Sequence, residues 1–263
     1  MQRDSPRCAA PGCEEATLCN AHIVPRGFAR RLSSPGGHNL AIRPDGSKPA
    51  TQPLGTFDSQ ILCGPCDSKL GVFDQYAIRF CDGLDATGDA RTGTIFRHEQ
   101  FDGDTFTLAV LAILWRASIS KREEFTHISL GPYSGPAAQV LFGNAELADL
   151  PAFQVALMRY ASNTHDARKV IFPILRIRSG ALNVFTLGVG GFMVIAKIDQ
   201  RPFDPQLRPY VINGATSLAV PHIRFEETAE YSYFREAAAE DRRRGRGFRK
   251  AAQGDKGARQ CFD

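Results

Sequence analysis

Apolar positions along the chain fall into two textures: periodic runs from about residue 95 onward, and before residue 80 a sparse pattern broken by Pro, Gly and Cys. Between Asp104 and Ser120, the residues Phe106, Val110, Ile113, Leu114 and Ala117 share one face of a helix, with further apolar residues beside them. Asp104 is placed to cap that helix, which is expected to be well buried with Trp115 in the core. A second helix is expected from Ser134. VALMRYA, KVIFPILRIR, LNVFTLGV and GFMVIAKID then read as strands. Ser179-Gly180 has hairpin spacing, and Gly190-Gly191 marks another bend or bulge. Strands joined by such short turns run antiparallel. ETAEYSYFREAAAEDRRR reads as a closing helix.

Earlier in the chain, QILCGPCDSKLGVFDQYAIRF predicts a strand, a metal-bearing knuckle and a helix capped near Asp67, with Asp74 and Tyr76 docking it on the second domain. A short helix is expected over Phe28 to Leu32. SSPGGHNLAIRPDGSKPATQPLG reads as an irregular loop. The fold class is therefore α+β: a small metal-organised module over residues 1–80, a domain of helices packed on an antiparallel sheet over 95–240, and a tail over 241–263. With so few apolar residues, the first module is expected to depend on its metal.

Composition adds boundaries. The 263 residues, 43% of them hydrophobic, suffice for a sizeable core. No apolar run approaches the roughly 20 residues that cross a bilayer, and the opening MQRDSPRCAAPGC lacks a secretory pattern. The expectation is a soluble cytoplasmic protein without a membrane partner, with room for a homo-oligomer. The net charge of +4 sits in the tail: from Asp241 onward there are eight Lys/Arg against three Asp, which leaves 24 basic against 25 acidic residues elsewhere. DRRRGRGFRKAAQGDKGARQ reads as lacking a fixed fold, and its Arg-Gly character suits contact with phosphates and bases.

The seven cysteines are unevenly spread. Cys8, Cys13 and Cys19 fall in the first twenty residues, Cys63 and Cys66 form a CxxC, and Cys81 and Cys261 stand apart. In a reducing compartment such clusters point to metal rather than to disulfides. Zinc takes four tetrahedral ligands, and two short-spaced pairs can clamp a loop-rich segment. One set is Cys8, Cys13, Cys63 and Cys66; the other joins Cys19 and His22 to Cys63 and Cys66. The first leaves His22, in HIVP, available for chemistry.

A cysteine pair, then HIVP, a loop, and LC-x2-CD opening a helix resemble the zinc-knuckle HNH, or His-Me finger, endonucleases, over about residues 8–77. The resemblance is to a bacterial branch largely of unknown role. It implies a ββα-type module with a structural Zn²⁺ and a separate catalytic Mg²⁺ or Mn²⁺, acting on nucleic acid. His22 matches the base that activates water, Asp67 the final metal-ligand position, and Asn39 the residue that orients the histidine, with His38 equally placed. Arg26 and Arg30, just past HIVP, are candidates for phosphate contacts. Ala21 stands where active fingers commonly carry an acidic ligand, and Asp58 is the nearest substitute. The resemblance thus leads to a metal-dependent phosphodiester hydrolase or, alternatively, to an inactive zinc module that binds nucleic acid or protein.

Overall fold

The computed structural model describes residues 6–30, 40–41, 50–51, 55–86, 90–179, 182–232, 235 and 239. Asn39, His38, most of the closing helix and the tail over 241–263 lie outside these described residues.

Strand β1 (Ala21–His22) is followed by a short helix, α1 (Arg26–Arg30), which starts earlier than the sequence suggested because the chain turns at Pro25, whose carbonyl accepts from Phe28 N. Two-residue strands β2 (Leu40–Ala41) and β3 (Ala50–Thr51) pair antiparallel, as do β1 and β4 (Phe57–Asp58). Helix α2 (Gly64–Asp82) begins three residues before the expected start. Cys63 is its N-cap, with its carbonyl accepting from Asp67 N at 2.9 Å, and Pro65 suits a first turn where no amide partner is needed. Asp67 therefore lies inside the first turn and is not the cap. Most of the few apolar residues here point inward: Ala21, Ile23, Phe28, Ile61, Leu62 and Leu70 are at most 2% exposed, while Phe57 and Val72 are exposed.

After β5 (Ile95–His98) comes α3 (Gly103–Ile119), buried almost all round. Its N-cap is Asp102, which accepts from Thr105 N at 2.9 Å. The expected cap, Asp104, sits in the first turn and accepts from Gly214 N at 2.7 Å. The shift follows from Gly103: a Cβ there would collide with the Ile212 carbonyl, so only glycine lets the helix start against this passing segment. Helix α4 (Ser134–Leu141) packs on α3, and Trp115 meets Phe142 edge-on at 5.5 Å.

The remaining strands are β6 (Phe153–Ala161), β7 (Phe172–Ser179), β8 (Leu182–Val189), β9 (Phe192–Ile198) and β10 (Leu218–Arg224), in the sheet order β5-β10-β6-β9-β8-β7. Consecutive strands β7, β8 and β9 are antiparallel as expected. The expectation of an antiparallel sheet needs one correction, because β10 runs parallel to β6. It reaches β6 by a crossing over residues 199–217, and a long crossing imposes no antiparallel direction. Gly190 and Gly191, at φ 60° and 85°, close the β8–β9 hairpin in the left-handed region its two-residue turn demands. That turn lies on Cys81 of α2 and Phe28 of α1.

Apolar packing passes without a break from Cys8, Ile23 and Phe28, through Leu70, Ala77 and Cys81 of α2, into α3 and the sheet. Polar bonds lock the same contact. Asp74 of α2 accepts two bonds from Arg116 of α3, at 2.9 and 2.7 Å, and the Tyr76 hydroxyl accepts from Asp102 N. No helix among the described residues is long and apolar enough to cross a membrane.

Candidate metal centre and the surface beside it

Three chain segments are laced together around four sulfurs. Ala9 N donates to Ile61 O and Cys19 N to Leu62 O, so the residues around Cys8 and Cys19 flank the segment that enters α2. Cys8 N donates to Glu15 O, closing a loop that returns Cys13 toward Cys63. The sulfurs of Cys8, Cys13, Cys63 and Cys66 all lie within 4.8 Å of one another, and Cys13 Sγ is 3.8 Å from Cys63 Sγ. A tetrahedron with metal–sulfur bonds of about 2.3 Å has sulfur–sulfur edges of about 3.8 Å, whereas a disulfide needs about 2.05 Å. All four are free thiols at a spacing that suits a shared ion.

The electrostatics agree. Burial pushes the Cys66 thiol far above its ordinary value, and the neighbouring Cys63, Cys8 and Cys13 push it further. Burial likewise raises Cys8, while the Glu15 backbone amide holds the half-exposed Cys13 below its usual value. Crowded thiols resist losing successive protons unless a cation takes up the charge. Cys63 N donates to Cys8 Sγ at 3.4 Å, and the positive end of the α2 dipole faces Cys63 and Cys66. The four cysteines can therefore hold a metal ion. Cys19 and His22 stand outside this group. Burial first, then Asp67 and the clustered thiols, raise the Cys19 thiol, which makes it a neighbour of the centre.

His22 projects from β1 directly opposite Phe57 on β4, with ring centroids 5.9 Å apart. Phe57 is 38% exposed, and its carbonyl accepts from Arg122. Arg26 and Arg30 are both exposed on α1. Asp67 is half-buried; burial raises its carboxyl above the usual range, Arg116 works against that, and Asp74 adds to it. Its Oδ1 has no hydrogen bond and lies 3.8 Å from Arg116. Ala21 is fully buried, and Asp58 opposite it accepts from Gln60 N, Ser120 Oγ and Lys121 N, which makes Asp58 a structural turn residue. Among the described residues, only the four cysteines converge as a group of three or more metal-ligating side chains.

Sequence reasoning missed Arg116, which is 1% exposed within an apolar helix. Its signal was available, since a charge among buried positions requires a buried partner. Phe57 was also missed, and a single aromatic in GTFD carries no such signal. Comparisons with family models, with characterised proteins and with solved structures found no match to this chain.

Proposed function

We propose that the protein is a zinc-stabilised, HNH-like protein that acts on nucleic acid, with zinc held by Cys8, Cys13, Cys63 and Cys66 as a structural ion. The observation that carries this reading is the strand–strand–helix order beside the thiols: His22 on β1, paired with β4, and Asp67 in the first turn of α2. An all-thiolate shell is closed to water and substrate, so the zinc fixes geometry and does no chemistry. The exposed Phe57 ring and Arg26 and Arg30 supply the aromatic and cationic contacts that a strand of nucleic acid needs.

In the finer form of the proposal, the reaction is phosphodiester hydrolysis. His22, with an imidazole suited to proton transfer near neutral pH, removes a proton from the attacking water. Asp67, whose Oδ1 is buried without a hydrogen bond, would hold a Mg²⁺ or Mn²⁺ ion that offsets charge on the phosphate. Asn39 takes the role of orienting the histidine. A second reading, a binding module without hydrolysis, is favoured by Arg116 beside Asp67 and by the buried Ala21.

One experiment tests both. Cleavage and binding of single- and double-stranded DNA and RNA are measured with Mg²⁺ and Mn²⁺ for the native protein and His22→Ala. Hydrolysis predicts metal-dependent cutting that falls at least about 100-fold in the variant with zinc retained. Binding without cutting in both selects the second reading, and no binding to any strand contradicts the proposal.

A further inference from the structure

The sheet face turned away from α3 carries a second feature, outside the apolar cluster that contains the thiols. The segment over residues 199–212 folds back across it, and beside it lies a depression of about 400 Å³ open to solvent. Gln154 on β6 and Lys197 on β9 are cross-strand neighbours in its wall, and Arg201, Phe203 and Arg208 come from the crossing segment. Every ionisable side chain in this lining is a cation: Lys197, Arg201 and Arg208.

Lys197 is the unusual member. It is 2% exposed, its Nζ donates to the backbone carbonyls of Ala152, at 3.2 Å, and Asp199, at 2.6 Å, and it lies 5.8 Å from the centre of the Phe203 ring. Among the described residues no carboxylate comes within ion-pair distance of it. An ammonium buried without a directly paired anion is costly, and burial holds this amine below its ordinary value although the Asp199 carboxylate works against that. Arg208 donates its Nε to Phe203 O at 2.9 Å, which leaves the two terminal nitrogens of the fork for another acceptor. Arg201 alone is neutralised, by a two-bond pair with Asp199.

The site thus keeps an excess of two positive charges, from Lys197 and Arg208, in a space of ligand size. A monocarboxylate would balance half of that, whereas a phosphate monoester carries about two negative charges near neutral pH and accepts from an arginine fork. We propose that this depression binds the phosphate group of a small phosphorylated molecule, held by Lys197 and Arg208 and oriented by the Gln154 amide. The same chemistry is available from the backbone of a nucleic-acid strand, and the test separates the two sources.

Binding of inorganic phosphate, of 5′-AMP and of a short single strand lacking terminal phosphates is measured on the full chain by calorimetry and by ligand-dependent shift of the melting temperature. Saturable binding of phosphate and 5′-AMP is expected, weakened at least about tenfold in Arg208→Gln, whose exposed site leaves the unliganded melting temperature unchanged. Lys197→Met removes the buried charge and is expected to lose the same binding while keeping the fold. Absence of saturable binding to both small probes overturns the proposal. So does affinity unchanged in Arg208→Gln, or a strand that binds here where 5′-AMP does not.

Discussion

Helix α2 solves opposite electrostatic problems at two points along its length. At its start, Cys63 and Cys66 join Cys8 and Cys13, four groups that become like charges when they ionise, and the helix dipole and backbone amides face them. In its middle, Asp74 meets Arg116 in a two-bond pair that is complete within the protein. The first region is arranged so that it can take a cation from outside; the second is complete within the protein. The difference separates a place that can bind an ion from a place where charge aligns α2 on α3.

Removing the metal should produce the largest effect. Chelation, or Cys63→Ser, should strip the bound ion and expose residues 6–30 and 55–63 to proteolysis, while amides of β6, β8 and β9 stay protected. Apparent binding energies of about 10–16 kcal/mol for structural zinc in small fingers indicate the scale. Full metal content in Cys63→Ser, or unchanged proteolysis after chelation, would remove the contrast between the two regions.

The middle of α2 should respond differently. Arg116→Ala leaves Asp74 buried and unpaired and should cost about 3–5 kcal/mol in denaturant unfolding with metal content unchanged. The double variant Asp74→Leu/Arg116→Met should recover most of that loss, since an ion pair of this kind is replaceable by packing. A double variant as unstable as the single one would mean that the pair has a role beyond alignment, such as holding Asp67.

Smaller again is the far end of α2, where the β8–β9 turn rests on Cys81. Gly190→Ala meets both a crowded contact and a left-handed φ of 60°, and should cost about 1–3 kcal/mol. A neutral result would show that the hairpin is free to move off α2, loosening the join between the thiol region and the sheet.

Much of this arrangement was legible in the sequence because single periodic segments report their own environment. Helix α3, α4 and strands β6 to β9 were read from apolar spacing, and the paired cysteines from their intervals. Strands β5 and β10 were not, because β5 has four residues and β10 carries Pro221 in its middle. The parallel β10–β6 pairing depends on a crossing whose path no local pattern encodes. Cap positions slipped by two residues for α3 and four for α2 because they depend on partners distant in sequence: Ile212 beside Gly103 for α3, and the thiol cluster gathered at Cys63 for α2. Lys197 was hidden in GFMVIAKID, where a lysine near a strand end reads as solvated until residues 199–212 fold over it.

Both the proposed zinc site and the proposed chemistry rest on a metal held by thiolates alone, with His22 outside its shell. X-ray absorption at the zinc edge of the purified full chain decides between the two ligand sets. Thiolate-only binding predicts about one zinc per chain, with four sulfurs at about 2.3 Å, and the same shell in His22→Ala. A nitrogen at about 2.0–2.1 Å that disappears in His22→Ala would contradict it, placing His22, with Cys19, among the ligands.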